Sequence, residues 1–262
     1  MDLELTGKTA VVTGASRGIG LAIAQALTEE GVRVVGGART ISPDLEKASV
    51  AAISADLSTQ EGVTTLIDAA LTELGGIDIL INNVGAGDAN TLQIGGFLDI
   101  SDEQWRNILN LNLFSAVWAS RAALPSLLER RGAIVNISSI NGRWPAAGPS
   151  GYSEAKAALN AFGKRLSEEF GPQGVRVNTI SPGAVGSPLW RGADGFGAKI
   201  AETQGISHEE LLAAIPKQFN MASDRITEPE EVAALVAFLV SAKATNIRGA
   251  EYVIDGGTLK QI

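Results

Sequence analysis

The chain has 262 residues, long enough for one domain with a well-buried core, and its 45% hydrophobic and 19% charged residues are typical of a globular protein. Its formal net charge of −8 argues against unspecific binding to nucleic acid or anionic membranes, and the absence of cysteine, with a single histidine at His208, argues against disulfides, a metal centre, a cysteine nucleophile and a Ser-His-Asp triad. The acidic N-terminus lacks the basic start of a signal peptide and no apolar run approaches the roughly 20 residues of a membrane span, so a cytoplasmic protein is expected.

Short apolar runs with β-strand character alternate with helical patterns along the whole chain. This alternation predicts an α/β doubly wound Rossmann fold, with a central, mostly parallel seven-stranded sheet and helices on both faces. No linker or internal repeat interrupts it, so residues 1–262 are interpreted as a single Rossmann-type domain. The predicted strands are Lys8–Thr13, Val32–Ala38, Ala51–Ala55, Ile77–Asn82, Gly132–Ser138, Val175–Ser181 and Glu251–Ile254. The predicted helices are Ile19–Glu30, Glu61–Leu74, Glu103–Arg131 with an interruption around Pro125, a helix from Tyr152 that ends at Gly171-Pro172, and Glu228–Ser241.

Three glycines mark the turn between the first predicted strand and the first predicted helix: Gly14, Gly18 and Gly20. Glycines at such a turn let the backbone bend tightly and approach a pyrophosphate, whose charge is favoured at the N-terminus of the helix. The spacing is wider than the common G-x-G-x-x-G, but the strand–turn–helix context favours dinucleotide binding over a merely tight connection.

Tyr152 and Lys156 lie four residues apart on a predicted helix, so their side chains share one face. A free phenol has a pKa of about 10 and is a poor proton donor at neutral pH. A nearby cation lowers that pKa, so the pair predicts a general acid for carbonyl reduction or a general base for alcohol oxidation. An isolated pair of this kind is more commonly an exposed tyrosine beside a solvated lysine, and the prediction therefore depends on the rest of the chain.

Further motifs accompany this pair in a fixed order. They are Thr13-Gly14-x-x-x-Gly18-x-Gly20 in the first turn, Asn82-Asn83-Val84-Gly85 after strand four, Asn112 on the next helix, Ser139 thirteen positions before Tyr152, and Pro182-Gly183 after strand six. In this order and spacing the chain resembles the short-chain dehydrogenase/reductase (SDR) family over nearly its full length. It departs from the family's Asn-Asn-Ala-Gly segment in having Val84 in place of alanine.

The resemblance implies an oxidoreductase that transfers a hydride between a nicotinamide cofactor and a carbonyl or secondary alcohol. Ser139 would hydrogen-bond the substrate oxygen, and Tyr152 would donate the proton in reduction. Lys156 would lower the pKa of the tyrosine and bind the nicotinamide ribose, and Asn112 would hold a water that links Lys156 to solvent. Because side chains alternate along a strand, the adjacent Ser138 is expected on the opposite face from Ser139.

The end of the second strand predicts NADP(H) rather than NAD(H). NAD-preferring relatives usually carry an acidic residue there, whereas this chain has Gly37-Ala38-Arg39-Thr40. Arg39 and Arg17 offer two guanidinium groups to a 2′-phosphate; if Arg39 points to solvent instead, selectivity is weak. The resemblance implies this full set of cofactor contacts: Gly14, Ser16, Arg17, Gly18, Ile19, Gly20, Arg39, Asp56, Leu57, Asn83, Val84, Gly85, Tyr152, Lys156, Pro182, Gly183, Val185 and Ser187.

Substrate determinants are expected in two segments. Ser187–Asn220 follows strand six as a long connection, and in the family this region forms a mobile lid over the substrate. Trp144 and Trp190 are candidates for the substrate pocket, and packing of Trp190 on a neighbouring subunit is the alternative. The polar segment Ala86–Ile100 is a second hypothesis for selectivity. The resemblance also implies a homotetramer or dimer.

Two other functions stay open. A 3-oxoacyl-carrier-protein reductase needs a basic patch for its acidic carrier; Arg130 and Arg131 are candidates, whereas Gln173 and the negative net charge speak against it. A non-catalytic NADP-binding sensor would share the fold. The intact set of Ser139, Tyr152 and Lys156 favours an enzyme.

Overall fold

The computed structural model describes residues 1–85, 96–145 and 148–260. A seven-stranded sheet lies at its centre, with the order β3-β2-β1-β4-β5-β6-β7. Every strand pair is parallel, so the predicted α/β doubly wound fold is confirmed and the sheet is wholly rather than mostly parallel. The strands are β1 Thr9–Thr13, β2 Arg33–Ala38, β3 Ala51–Ser54, β4 Ile79–Asn82, β5 Ala133–Ile137, β6 Arg176–Pro182 and β7 Glu251–Ile254.

Helices cover both faces of this sheet, as the doubly wound topology requires. Their bounds are α1 Gly18–Glu29, α2 Pro43–Lys47, α3 Gln60–Leu74, α4 Asp102–Leu109, α5 Ser115–Arg130, α6 Tyr152–Phe170, α7 Pro188–Arg191, α8 Phe196–Gln204, α9 His208–Gln218 and α10 Pro229–Val240.

Alternate side chains of the strands enter two apolar layers. Ala10 and Val12 of β1 pack in the layer that contains residues of α1 and α10, whereas Val11 packs in the layer of α3 and α5. A strand covered on both faces has no polar side, which is why Ala10, Val11 and Val12 form a continuous apolar run in β1. The two layers leave the carboxyl edge of the sheet as the place where loops can form a binding cleft.

The helical pattern over Glu103–Arg131 is interrupted at a different place from the one predicted. A π-helical turn at Asn110–Phe114 separates α4 from α5, while Pro125 lies inside the continuous helix α5. Proline removes one hydrogen bond from a helix, but Ala123 and Leu127 on either side of it are fully buried in the α3–α5 layer. This packing keeps α5 continuous, so the expected break at Pro125 was wrong.

The segment predicted as a long connection after β6 is largely helical, since α7, α8 and α9 all lie within it. Ser207 and Glu210 form a capping box at the start of α9: the Glu210 backbone N–H donates to the Ser207 hydroxyl, and the Ser207 N–H donates to the Glu210 carboxylate. Arg191 at the end of α7 makes two 2.7 Å hydrogen bonds to the carboxylate of Glu228, which precedes α10. The capping box defines the start of α9, and the Arg191–Glu228 pair holds α7 against the residue that precedes α10.

Candidate active site

A cavity of about 890 Å³ opens at the carboxyl edge of the sheet. The glycine turn after β1 and the loops after β2, β3 and β4 line one part of it, and the ends of β5 and β6 with helices α6 and α7 line the other. All the expected cofactor contacts lie on its wall, namely Gly14, Ser16, Arg17, Gly18, Ile19, Gly20, Arg39, Asp56, Leu57, Asn83, Val84, Gly85, Tyr152, Lys156, Pro182, Gly183, Val185 and Ser187. Several other residues that were not predicted as contacts also line the cavity, among them Thr40, Ile41, Ser42, Leu111 and Leu189.

The glycine turn is closely packed against the loop after β4. Gly14 has a φ of 68°, in the left-handed region that favours glycine. A Cβ on Gly20 would lie 2.2 Å from the Gly14 carbonyl oxygen and 2.4 Å from Nδ2 of Asn83. The Asn83 carboxamide in turn donates 3.0 Å hydrogen bonds to the carbonyls of Thr13 and Gly14. Side chains larger than hydrogen would therefore separate the two loops that form this wall.

The residues present in this turn fit a dinucleotide. The Ser16 hydroxyl is buried without a hydrogen-bond partner among the described residues, and it lies just before the N-terminus of α1. A buried hydroxyl beside the N-terminus of a helix matches the needs of a phosphate. On the opposite side, a Cβ on Gly85 would come within 3.1 Å of Lys156 Nζ and 3.2 Å of Asn112 Oδ1, so glycine keeps the cleft open there.

Arg17 and Arg39 both line the cleft with exposed side chains. Asp56 shares this wall. Hydrogen bonds from the Ser58 hydroxyl and backbone N–H hold the pKa of the Asp56 carboxyl below its ordinary value, and the charge of Arg39 lowers it further. Arg39 therefore lies close to the wall that Asp56 and Leu57 form, and this end of the cleft carries two guanidinium groups.

Helix α6 begins at Tyr152 and places Lys156 one turn further on. Gly151 precedes it with a φ of 81°, and its N–H donates a 2.6 Å hydrogen bond to the carboxylate of Glu154. The Lys156 ammonium lies 5.6 Å from the centre of the Tyr152 ring and donates to the Ile137 carbonyl at 3.0 Å. Lys156 is only 2% exposed, and this burial lowers the pKa of its ammonium from 10.5 to about 8.

The pKa of Tyr152 shifts in the direction opposite to the one expected. Burial raises the pKa of the phenol, and a hydrogen bond with Ser139 offsets that rise only in part. The lowering expected from Lys156 does not give a net decrease in the pKa of Tyr152, because loss of hydration of the phenolate is the larger effect. The ammonium lies over the ring, and its hydrogen bond is made to the Ile137 carbonyl.

The two adjacent serines have different partners. Ser138 donates from its hydroxyl to the backbone carbonyl of Lys156 at 3.2 Å, whereas the hydroxyl of Ser139 interacts with Tyr152. Both line the cleft, but Ser139 is the one beside the phenol. Ser139, Tyr152 and Lys156 are thus brought together as predicted.

Asn112 lies behind Lys156 rather than on the cavity wall. It is 1% exposed on the π-helical turn, and its Nδ2 donates to the Ile108 carbonyl at 2.9 Å. Its Oδ1 approaches Gly85 from the same side as the Lys156 ammonium. The π-helical turn therefore directs the Asn112 carboxamide towards the lysine.

The two candidate tryptophans differ. Trp190 lines the cleft, and the rings of Phe196 and Phe219 pack edge-on against it at 5.8 and 6.0 Å. Trp144 is 41% exposed and is not part of the cavity wall, so the structure does not place it in the pocket. Of the proposed selectivity segment Ala86–Ile100, residues 86–95 lie outside the described residues.

Among the described residues no cluster of histidine, cysteine or carboxylate side chains could hold a metal ion. Within the same part of the chain, no helix combines the length and the apolar character needed to cross a membrane.

Residues 14–258 match the family described as Enoyl-(Acyl carrier protein) reductase. The curated relatives align almost end to end. The 3-oxoacyl-[acyl-carrier-protein] reductase FabG of Vibrio cholerae is 33% identical over 97% of this chain and 98% of its own length, and the 3beta-hydroxysteroid dehydrogenase 1 of Eggerthella lenta is 34% identical over 97% and 94%. The chain belongs to the short-chain dehydrogenase/reductase family.

Solved SDR structures agree with this assignment. The L-sorbose reductase of Gluconobacter frateurii, complexed with NADPH and L-sorbose, superposes with a TM-score of 0.91 at 32% identity and covers 100% of both chains. The aldohexose dehydrogenase of Thermoplasma acidophilum gives 0.86 at 31% identity, covering 99% of this chain and 96% of its own. A short-chain dehydrogenase from Burkholderia cenocepacia in complex with NADP gives 0.81 at 32% identity, covering 97% and 98%.

Family membership confirms the predicted fold and enzyme class. This SDR is an oxidoreductase that acts on CH–OH and C=O groups with a nicotinamide cofactor. The prediction of NADP(H) agrees with the NADPH and NADP held by two of the solved relatives.

Proposed function

We propose that this SDR is an NADP(H)-dependent reductase of small polyhydroxylated ketones, with Ser139, Tyr152 and Lys156 as its catalytic residues and Asn112 behind them. The observation that carries the proposal is the meeting of these three side chains on the wall of a cleft that the glycine turn also lines. When bound, the cofactor supplies the hydride.

The protein's own groups have separate roles in this proposal. The Ser139 hydroxyl donates a hydrogen bond to the substrate carbonyl and holds it beside Tyr152. The Tyr152 phenol gives its proton to the carbonyl oxygen, which becomes the hydroxyl of the product. The Lys156 ammonium stabilises the phenolate left behind, since an opposite charge favours the ionised form. Asn112, next to the ammonium, positions the water through which the proton is replaced.

Selectivity for NADP(H) is assigned to Arg17 and Arg39. Two guanidinium groups at the edge of the cleft provide the planar, forked donors that a phosphate monoester prefers. Residues 37–40 contain no carboxylate that would accept hydrogen bonds from an unphosphorylated ribose.

The substrate class rests on the chemistry of the residues that line the cleft with Tyr152. They include the Ser139 hydroxyl, which bonds the Asn141 carboxamide behind it, and the indole of Trp190. Hydroxyl groups and an aromatic ring in one cleft suit a sugar, whose hydroxyls need hydrogen-bond partners and whose C–H faces pack on rings. The L-sorbose reductase that matches over the full length of this chain acts on such a ketone.

A 3-oxoacyl-carrier-protein reductase is the second candidate, supported by the 33% identity to FabG. The carrier would need exposed cations near the cleft. Arg130 instead bonds the Asp78 carboxylate at 3.4 Å and the Gly75 carbonyl at 3.1 Å, so its guanidinium is committed within the chain. This contact makes the sugar ketone the better substrate proposal.

Three expectations complete the proposal. Residues 187–220 act as the lid over the substrate, the protein is a homotetramer or dimer, and it works in the cytoplasm. The ion pair between Arg191 and Glu228 would anchor the first helix of that lid.

NADPH consumption against a panel of ketoses, simple ketones, quinones and 3-oxoacyl thioesters tests the proposal. The wild type should turn over a ketose, Tyr152→Phe should lose at least a thousandfold in kcat while binding NADPH normally, and NADH should be a poor substitute. Turnover of 3-oxoacyl thioesters alone would establish the second candidate. Activity that survives in Tyr152→Phe would overturn the catalytic assignment.

A further inference from the structure

Asn141 makes two hydrogen bonds with the hydroxyl of Ser139, one as donor and one as acceptor. Ser139 caps the short 3₁₀ turn Ile140–Gly142, and its Oγ accepts a 3.2 Å hydrogen bond from the Asn141 backbone N–H. The same hydroxyl donates to Oδ1 of Asn141 at 3.1 Å. A residue outside both the Tyr152–Lys156 pair and the cofactor wall therefore offers an acceptor for the Ser139 proton.

The direction of this proton matters because a serine hydroxyl has one proton to give. The Asn141 carbonyl oxygen and the Tyr152 oxygen therefore compete for that proton, and only its donation to Tyr152 lowers the pKa of the phenol. In the proposed reduction the proton has to point at the substrate carbonyl instead. In the free enzyme the Asn141 oxygen thus accepts the hydrogen bond from Ser139 that the substrate oxygen accepts in the working complex.

Gly148 holds the Asn141 carboxamide in place from the other side. A Cβ on Gly148 would lie 2.6 Å from both Cγ and Nδ2 of Asn141, and 2.7 Å from Oγ of Ser153. The Asn141 carboxamide is therefore packed between the backbone of Gly148 and the Ser139 hydroxyl. The amide cannot move towards Gly148, so it stays within reach of Ser139.

We propose that Asn141 is a positioning residue that acts through Ser139, an inference that rests on the proposed function. It fixes the hydroxyl beside Tyr152 in the free enzyme and releases the proton to the substrate carbonyl, so one hydrogen bond replaces another and no covalent bond changes. A neutral amide is suited to this exchange. A carboxylate in its place would hold the proton about twice as strongly.

A double-mutant cycle tests the inference, with kcat and KM measured for the best ketose. Asn141→Ala should lower kcat about tenfold, the effect of losing one positioning hydrogen bond, with little change in KM or in NADPH binding. In a Ser139→Ala background the same change should lower kcat less than twofold, because the group through which Asn141 acts has been removed. Asn141→Asp should be slow at pH 8 and recover as its carboxylate is protonated at lower pH.

Ser153→Ala is the matched control. Ser153 lies on the other side of Gly148, and its hydroxyl bonds only the carbonyls of Pro145 and Pro149 among the described residues. A similar loss in Ser153→Ala would mean that the turn has merely loosened, and it would overturn the inference.

The outcomes separate the two proposals. A tenfold loss of kcat on Asn141→Ala in both backgrounds would overturn the role of Asn141 and leave that of Ser139 intact. Full activity of Ser139→Ala would overturn both. If no ketose is turned over, the readout of the cycle becomes the pKa of Tyr152, measured from the absorbance of its phenolate. The Tyr152→Phe variant gives the absorbance of the second tyrosine, Tyr252, which is subtracted. Freeing the Ser139 proton should then lower the pKa of Tyr152 in Asn141→Ala but not when Ser139 is alanine, and an unchanged midpoint in both would contradict the inference.

Discussion

Replacement of Lys156 by methionine should stabilise the fold while removing the activity. Lys156 is 2% exposed, and burial lowers the pKa of its ammonium from 10.5 to about 8. Because one pKa unit corresponds to about 1.4 kcal/mol, keeping this ammonium charged in the folded protein at pH 7 costs about 3 kcal/mol. Methionine has a similar length and no charge, so it does not carry this cost.

The variant also loses one hydrogen bond. The hydrogen bond from Lys156 to the Ile137 carbonyl, 3.0 Å long, is worth about 1 kcal/mol net, and the carbonyl is left without that donor. We therefore expect Lys156→Met to raise the free energy of unfolding by roughly 1–2 kcal/mol at pH 7 and the melting temperature by a few degrees. NADPH turnover should fall below detection, since the charge that stabilises the Tyr152 phenolate is gone.

The gain should depend on pH in a defined direction. The pKa of Lys156 is about 8 in the folded chain and 10.5 as its ordinary value, so between these values the unfolded chain binds the proton and the folded chain does not. Wild-type stability from this group therefore rises as pH rises from about 8 to about 10.5, and the advantage of the variant shrinks over the same window.

Denaturant unfolding without cofactor at pH 7, 9 and 10.5 measures both effects. Lys164→Met, on an exposed position of the same helix, is the control and should change stability little at any pH. The reasoning is refuted if Lys156→Met is no more stable than the wild type at pH 7, or if its advantage is the same at all three pH values.

Other variants test other parts of the cleft. In Gly20→Ala the new Cβ would lie 2.2 Å from the Gly14 carbonyl, so NADPH binding measured by fluorescence should weaken more than about tenfold, and wild-type affinity would contradict the packing of the turn. Arg39→Ala should raise the KM for NADPH by roughly tenfold or more and leave the KM for NADH unchanged, since only the phosphate contact is lost; equal changes for both cofactors would remove Arg39 from the selectivity site. Arg191→Gln breaks the ion pair with Glu228, whose side chains are 47% and 37% exposed. Solvent screening should therefore keep the loss of stability below about 1 kcal/mol. The KM for the ketone should rise, and an unchanged KM would argue against a lid.

Local features of this chain could be predicted because their causes are local. The four-residue spacing that places Tyr152 and Lys156 on one helix face and the strand–turn–helix setting of Gly14 both follow from short stretches of sequence. The packing around Pro125 is not local: it comes from buried neighbours on α5, and it overrides the tendency of proline to end a helix. Helix α9 did have a local signal, the Ser207-x-x-Glu210 capping box, but the glycines of the same segment favour a loop.

The candidate site shows the same division. Motif spacing brought Ser139 to the phenol, but the direction of the pKa shift of Tyr152 depends on burial, which no motif contains. Asn141 was missed although it lies two residues after Ser139, because its importance appears only when Gly148 and the serine hydroxyl enclose its carboxamide. Trp144 has the right residue type close to the site, but 41% of it remains exposed to solvent.

The residues that line the cleft run from Gly14 to Trp190, so they span about two thirds of the polypeptide. A ribosome must therefore release most of the chain before a dinucleotide can find a complete binding site. Helix α10 must still pack on the sheet and β7 must still join it afterwards. A ligand that binds only the finished fold cannot guide the nascent chain, but it lowers the population of opened molecules once synthesis is over. The cellular supply of the cofactor should consequently govern how long each finished molecule survives proteolysis rather than how quickly it is made.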